Sequence, residues 1–399
     1  MNASSNTASF TADRLEPPRI AVIGAGIAGS ACAAGLLRVG FDVTVFDKSR
    51  GVGGRLATRH VQWSDGDGIA RSAAFDHGCP HFTVTRPRFG AVVERAVAVG
   101  VATRWQQRVH ADFPAARMRD VVVPAPNMPA FCRHLLNGVP LRLGHAVTGL
   151  QRRPDGWMLQ LADEPPEGPF AQVVLAIPAG QAAVLLTGHR DDWADALGTA
   201  PMSPCWTLMA VTDDLDWPWD AAQISRGELA WVERNDRAPG RGSAGGVPWV
   251  AHATPAWSLA HLEDDPARVG ELLCAALGRS LTSGPAPRWH HVGVHRWRHA
   301  QCVPPARGNA EHWWATSTGL GVCGDAFGDG SVEAAWCSGD GLASALMASR
   351  DTVAAAIFGA RAASEEPVPM VRRRRLASFL PISNTTTGES PWVPLDAHS

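Results

Sequence analysis

Gly24-Ala25-Gly26-Ile27-Ala28-Gly29 follows a short apolar run and opens an Ala/Gly-rich stretch, and this turn restricts the fold more than any other feature of the chain. Residues 19–24 have the length and apolar character of a buried strand. Residues 27–39 suit a helix packed close to a sheet, and residues 41–46 alternate like a second strand. Strand, glycine turn, helix and strand within about 30 residues form the opening of a doubly wound parallel sheet. Gly24 allows the tight turn, Gly26 lets a pyrophosphate approach the backbone, and Gly29 permits close helix–strand packing. The helix N-terminus turns N–H groups and positive potential toward the phosphates, with Ile27 and Ala28 in its first turn. Asp47 ends the second strand about 20 residues on, where a carboxylate accepts ribose hydroxyls. An acidic residue there favours an unphosphorylated adenosine ribose, which leaves FAD or NAD.

The next segment chooses between them. Gly51, Gly53, Gly54, Arg55 and Arg59 follow directly after the acidic residue and offer further backbone N–H groups and two guanidinium groups to a diphosphate, which an ordinary NAD site does not need. Far along the chain, Gly324-Asp325 places a carboxylate in a small-residue turn suited to a ribityl chain. Val332 and Glu333 open a helix whose N-terminus can face a flavin pyrimidine and stabilise negative charge on the reduced ring. FAD is therefore the expected cofactor.

The remaining pattern predicts an α/β fold: a Rossmann-type FAD-binding domain with a second, mainly antiparallel β substrate domain. Strands are expected at 141–150, 157–161 and 172–177, returning to the first sheet, and at 205–211, 229–234, 249–253 and 291–297 in the second. Helices are expected at 266–279 and 331–350, and loops over a ligand at 51–89. Residues 19–90, 130–185 and 300–350 are assigned to the FAD-binding domain, and residues 91–129 and 186–299 to the substrate domain. Residues 1–18 read as a disordered lead-in and 365–399 as a flexible tail.

Composition excludes several classes. A net charge of -2 over 399 residues argues against a general nucleic-acid binder, and the basic run 372–375 reads as solvated. The 8 cysteines are scattered, with no C-x-x-C pair, so free thiols in the cytoplasm and no zinc site are expected. His291, His295 and His299 recur every four residues, yet their segment is β-like, and no metal is expected there. No apolar run is long enough to span a membrane. The chain has 16 tryptophans and no tyrosine, which rules out phenol-based acid chemistry.

The sequence resembles the renalase-like branch of the FAD-dependent amine-oxidase superfamily. The likeness covers residues 19 to about 349. It rests on residues 47–59, Phe75-Asp76-His77-Gly78 with Phe82-Thr83, Pro204-Cys205-Trp206, and Ala230-Trp231-Val232 with Arg234-Asn235. Residues 252–258, His295-Arg296-Trp297-Arg298, Cys323-Gly324-Asp325 and Val332-Glu333 complete it. The resemblance implies noncovalent FAD in a fold like that of p-hydroxybenzoate hydroxylase, with contacts also from Lys48, Thr58, Arg59, His77, Gly78 and Val147. It implies oxidation of 2- and 6-dihydro isomers of NAD(P) to NAD(P)+, with oxygen reduced to hydrogen peroxide. The expected partners are thus a small-molecule substrate, itself a dinucleotide, and oxygen; no protein partner is implied. His81, Asn235, His252 and Trp297 are the candidate catalytic-pocket residues. The chain departs from the family at Pro80-His81, where a Gln-Tyr pair is usual, and at His299, which replaces a tyrosine; both departures bear on the substrate. Amine oxidation or desaturation of another metabolite is the alternative on the same scaffold.

Overall fold

The computed structural model describes residues 17–364, apart from 65–66, 113–114, 283 and 303–309. The expected lead-in, save its last two residues, and the expected tail with its basic run lie outside the described residues. The chain divides into two compact units, one ending at Thr352 and the other beginning at Val353, and every sheet belongs to the first.

Strand Arg19–Ile23 lies inside a six-stranded sheet ordered Trp313–Ala315, Leu320–Val322, Gln172–Leu175, Arg19–Ile23, Asp42–Asp47, Leu141–Leu143. All its pairings are parallel except the one made by the edge strand Trp313–Ala315. Such a sheet must be covered on both faces, and its strands are apolar on both. Ile20, Val22 and Val45 face a core with Leu36, Phe89, Phe131 and Trp336. Ala21, Ile23 and Phe46 face another with Trp157, Leu159 and Trp193. Helix Ile27–Arg38 is built of small residues and is buried over most of its surface. A Cβ added at Gly339 would stand 2.0 Å from the Ala28 carbonyl oxygen, so helix Val332–Ser364 lies directly against the first turn of that helix.

A seven-stranded sheet runs Trp289–Cys302, Met202–Thr212, Val247–Ala253, Leu229–Arg234, Ala221–Gln223, Ala102–Asp112, Ala115–Pro124. It is antiparallel except between Ala221–Gln223 and Ala102–Asp112. Helix Pro266–Leu281 covers one face, where Leu273 and Leu277 meet Trp206 and Trp249. Its start is fixed by Asp265, whose carboxylate accepts from the N–H groups of Ala267 and Arg268, and by Pro266 in the first turn. The α/β architecture with a parallel sheet and a mainly antiparallel one is the expected fold class.

Two expectations require correction. Residues 51–89 are not all loop: Arg59–Ser64 and Ala70–Phe75 form a hairpin, joined by Ser243–Ala244. The first of these strands alternates polar residues with Val61 and Trp63, which pack on a small core of Phe75, Met209, Val211 and Val250; its polar half resembles a loop in sequence. Residues 141–150 are not one strand of the first sheet either. Gly144 (φ 80) turns the chain, with the Gly144 and His145 N–H groups donating to the carbonyls of Ser49 and Asp47 at 2.9 and 3.0 Å. Val147–Arg153, Gly156–Leu161 and Glu167–Phe170 then form a separate three-stranded sheet.

The chain also changes sheets early. Helix Pro87–Ala98 buries Phe89, Val93 and Ala96 in the core of the parallel sheet, whereas the strands that follow it extend the antiparallel one. The Phe82–Val122 bridge ties the two regions beside the site.

Candidate functional site

Gly24 has φ 111, and a Cβ there would stand 2.4 Å from the Ala176 carbonyl oxygen. A Cβ at Gly29 would stand 1.9 Å from the Gly24 carbonyl oxygen. These two glycines are thus demanded by packing. Gly26 differs, because its Cβ would meet nothing within 4 Å and would project into a cavity that this residue lines. Gly26 caps the helix with no side-chain hydrogen bond, which leaves first-turn N–H groups for an anion.

Asp47 is held at the same place. Its carboxylate accepts from the Ala25 N–H at 2.7 Å and the Ser49 N–H at 2.8 Å. The second glycine segment is fastened to the first, since the Gly53 N–H donates to the Ala25 carbonyl at 2.9 Å. Arg55 leaves this segment and donates through both terminal nitrogens to Asp325, each at 2.7 Å, and to the Ala300 carbonyl at 3.0 Å.

Around these groups lies a cavity of about 540 Å3. It brings together Gly24, Gly26, Ile27, Ala28, Asp47 and Lys48 from the first βαβ unit. Gly53, Gly54 and Arg55 come from the second glycine segment, Val147 from the turned 144–147 stretch, and Gly324, Asp325 and Val332 from the C-terminal region. His81 and Trp297 also line it. A Cβ at Gly324 would, as at Gly26, meet nothing within 4 Å. Two open glycine faces, helix N–H groups without a side-chain cap, a carboxylate at the end of the second strand and an arginine–aspartate pair are donors, acceptors and clearances that suit a dinucleotide.

Other expected residues stand behind the wall. Gly29 serves helix–strand packing, and a Cβ at Gly78 would stand 2.0 Å from the Arg55 carbonyl oxygen. Thr58 donates to Asp76 and accepts from the Met128 N–H. Arg59 donates to His295 Nδ1 at 3.1 Å. The Asn235 side-chain oxygen accepts from the Asp76 N–H at 2.9 Å, and His252 Nε2 lies 3.4 Å from the His77 carbonyl. Glu333 accepts from the N–H groups of Thr85 and Arg86, at 2.9 and 2.8 Å, and from the Thr85 hydroxyl. Its carboxylate ties two parts of the fold, because it reaches the N–H groups of Thr85 and Arg86 that lead into helix Pro87–Ala98.

One end of the site is aromatic. The Trp297 indole donates to the His77 carbonyl at 3.0 Å and stacks on the His77 ring, while His295 meets both rings edge-on. Burial, then the neighbouring His295 and Arg59, depresses His77 to about 3. Burial and Arg59 depress His295 to about 4, and burial also lowers His252. These rings are therefore neutral near pH 7. His291, His295 and His299 share strand Trp289–Cys302, where a spacing of four residues separates them by roughly 13 Å, too far to hold one ion.

The cavity also holds Arg119, His145 and Gln181, which sequence reasoning did not single out, and Arg296 and Arg298, which it named only as part of the family resemblance. His145 follows the Gly144 turn, a signal present in the sequence. Arg119 arrives on a strand whose place in the sheet no local pattern reveals. Lys48, the chain's single lysine, lies beside Asp47 and within 3.5 Å of Gln181.

Residues 22–96 match the NAD(P)-binding Rossmann-like domain family. Lysine-specific histone demethylase 1 homolog 1 of Arabidopsis thaliana is 44% identical over 54 residues, 14% of this chain and 6% of that protein. Carotenoid phi-ring synthase of Streptomyces griseus is 38% identical over 73 residues, 18% of this chain and 14% of that protein. The chain thus spans only a small part of the length of these curated relatives. Solved structures match far more of it. A provisionally named protoporphyrinogen oxidase of Exiguobacterium sp. 255-15 superposes with a TM-score of 0.61 at 12% identity, covering 82% of this chain and 98% of that one. A redesigned putrescine oxidase gives 0.60 at 13% identity, over 83% and 99%. The chain has the flavin amine oxidase fold. Among the described residues no helix is long and apolar enough to cross a membrane, no group of three or more His, Cys, Asp or Glu could hold a metal ion, and the cysteines form no disulfide.

Proposed function

We propose that the protein is an FAD-dependent oxidoreductase that binds FAD noncovalently and oxidises the 2- and 6-dihydro isomers of NAD(P) to NAD(P)+, with oxygen reduced to hydrogen peroxide. The observation that carries the cofactor reading is the joining of two glycine segments, Asp47 and the Arg55–Asp325 pair around one cavity. On this reading residues 19–90, 130–185 and 300–350 hold the cofactor, and residues 91–129 and 186–299 form the substrate domain.

FAD supplies a two-electron acceptor; the protein's part is binding, orientation and electrostatics. Gly26 and the helix start receive the diphosphate, Asp47 the adenosine ribose and Asp325 the ribityl hydroxyls. Trp297, set by its bond to the His77 carbonyl, orients a planar substrate, while the neutral His77 and His295 beside it add no charge of their own. A dihydropyridine becomes aromatic on losing hydride, so no strong base is needed.

The ionic lining favours an anionic substrate. Lys48, Arg55, Arg119, Arg296 and Arg298 line the cavity against the carboxylates Asp47 and Asp325, and although Arg55 is paired with Asp325 and Arg296 and Arg298 with Glu263, the wall keeps an excess of positive charge. A diphosphate gains from this field, and a polyamine is repelled by it. Amine oxidation or desaturation remains the second reading, favoured by the fold shared with putrescine oxidase. Anaerobic mixing with 2-dihydro-NAD is expected to bleach the flavin within seconds. No bleaching refutes the first reading, and peroxide released from an amine panel but not from dinucleotides establishes the second.

A further inference from the structure

His81 and Glu233 are 152 residues apart in sequence, yet His81 Nδ1 lies 3.1 Å from Glu233 Oε2. The carboxylate is fully buried and the imidazole nearly so, and only the imidazole belongs to the cavity wall. The Trp231 indole N–H and the Gln107 amide also donate to Oε2, each at 3.1 Å, and the Trp231 ring leans on the His81 ring with centroids 5.4 Å apart. Glu233 Oε1 has no partner among the described residues. A buried carboxylate with three donors converging on one oxygen is a built arrangement, and it restricts the ring. Burial works against the charge of Glu233, while His81 and the hydrogen bonds from His81, Trp231 and Gln107 lower the group below its ordinary range; the Trp231 and Gln107 N–H groups that meet Oε2 mark that oxygen as an acceptor. The nitrogen facing it must then carry hydrogen. In the neutral ring this leaves Nε2 bare, and among the described residues nothing pairs with Nε2.

We propose that Glu233 is a positioning residue that fixes His81 with its hydrogen on Nδ1, so that the Nε2 lone pair accepts an N–H of the substrate and selects a ring carboxamide over a carboxylate. This rests on the dihydro-NAD(P) reading and names a specificity determinant within it. A carboxamide offers N–H donors to the lone pair. A carboxylate offers only oxygens, and it would face the lone pair with the Glu233 charge behind it. The other titratable or charged groups around the pair are Asp76, Cys79 and His252, with Arg119 over the Trp231 ring at 5.6 Å.

The test uses the FAD-loaded enzyme with 2-dihydro-NAD and its nicotinic-acid counterpart as probes. At pH 8 the wild type is expected to favour the amide by about ten-fold or more in kcat/KM. In Glu233→Gln the new amide can donate to Nδ1 and move the ring hydrogen to Nε2, and the ratio should fall to about three-fold or less. Nitrogen NMR of labelled histidine, assigned with His81→Gln, should show hydrogen on Nδ1 and none on Nε2 in the wild type at pH 8. Hydrogen on Nε2 there overturns the positioning role whatever the activity. Equal rates for the two probes, or a ratio unmoved by Glu233→Gln, overturn the selection while the dihydro-NAD(P) reading stands. Bleaching by neither probe sinks that reading and the carboxamide selection with it.

Discussion

At the residue scale the three glycines of the first turn separate ligand clearance from packing. Gly26→Val puts its side chain where a Cβ meets nothing within 4 Å, so the fold should persist while FAD is excluded. Gly29→Ala puts a Cβ 1.9 Å from a carbonyl oxygen and should cost about 1–3 kcal/mol or more through forced backbone movement. Purification of Gly26→Val as a colourless protein with an unchanged urea midpoint, beside a destabilised Gly29→Ala, is the expected pair of results. The buried imidazoles give stability a pH dependence of definite sign. His77 falls to about 3 when folded and returns to about 6.5 when unfolded, so between those values the unfolded chain binds more protons. Its contribution is complete above about pH 6.5 and drains away as the pH falls toward 3. Urea midpoints should therefore drop between pH 7 and 5, and less steeply in His77→Phe. The turn and Asp47 were legible because both signals are local, a glycine spacing and a strand-ending acid. The His81–Glu233 pair was not, since nothing near either residue announces a partner 152 positions away.

At the element scale the start of helix Val332–Ser364 matters most. Its residues were read as facing a flavin, and Val332 does line the cavity. Glu333 instead accepts from the Thr85 and Arg86 N–H groups just before helix Pro87–Ala98, which fastens two helix starts together. Glu333→Gln should cost about 1–3 kcal/mol, lowering the urea midpoint without changing its slope, with FAD content near that of the wild type. Loss of FAD at unchanged stability would return this carboxylate to the cofactor. The sequence could name the helix but not the direction of its second side chain, because one residue on a helix turns about 100°. The same limit explains the hairpin Arg59–Ser64 and Ala70–Phe75. Its apolar side chains pack on Met209, Val211 and Val250, which belong to strands far later in the chain. Without that surface in view, its polar half resembles a loop.

At the scale of the whole molecule the site exists only because distant segments close on one another. Arg55 comes from the second glycine segment and Asp325 from a turn 270 residues later, and Arg55 also reaches Ala300 at the end of the long edge strand. The pair therefore couples the cofactor cradle to the antiparallel sheet. Asp325 is nearly buried while Arg55 is about a third exposed, so Asp325→Ala should cost at most about 3 kcal/mol, since water screens the arginine left behind. The more telling effect concerns the ligand. A molecule that binds only the folded state at 100 times its Kd adds about 2.7 kcal/mol. Excess FAD should thus raise the melting temperature of stripped wild-type protein by several degrees. On the proposed reading most of that rise should vanish in Asp325→Ala, because the ribityl acceptor would be gone and Arg55 loses its Asp325 partner. A variant with lowered stability but the full FAD-dependent rise would show Asp325 to be a structural clasp alone. The ribityl contact would then have to come from elsewhere in the cavity, whose wall also includes Gly330 and Ser331.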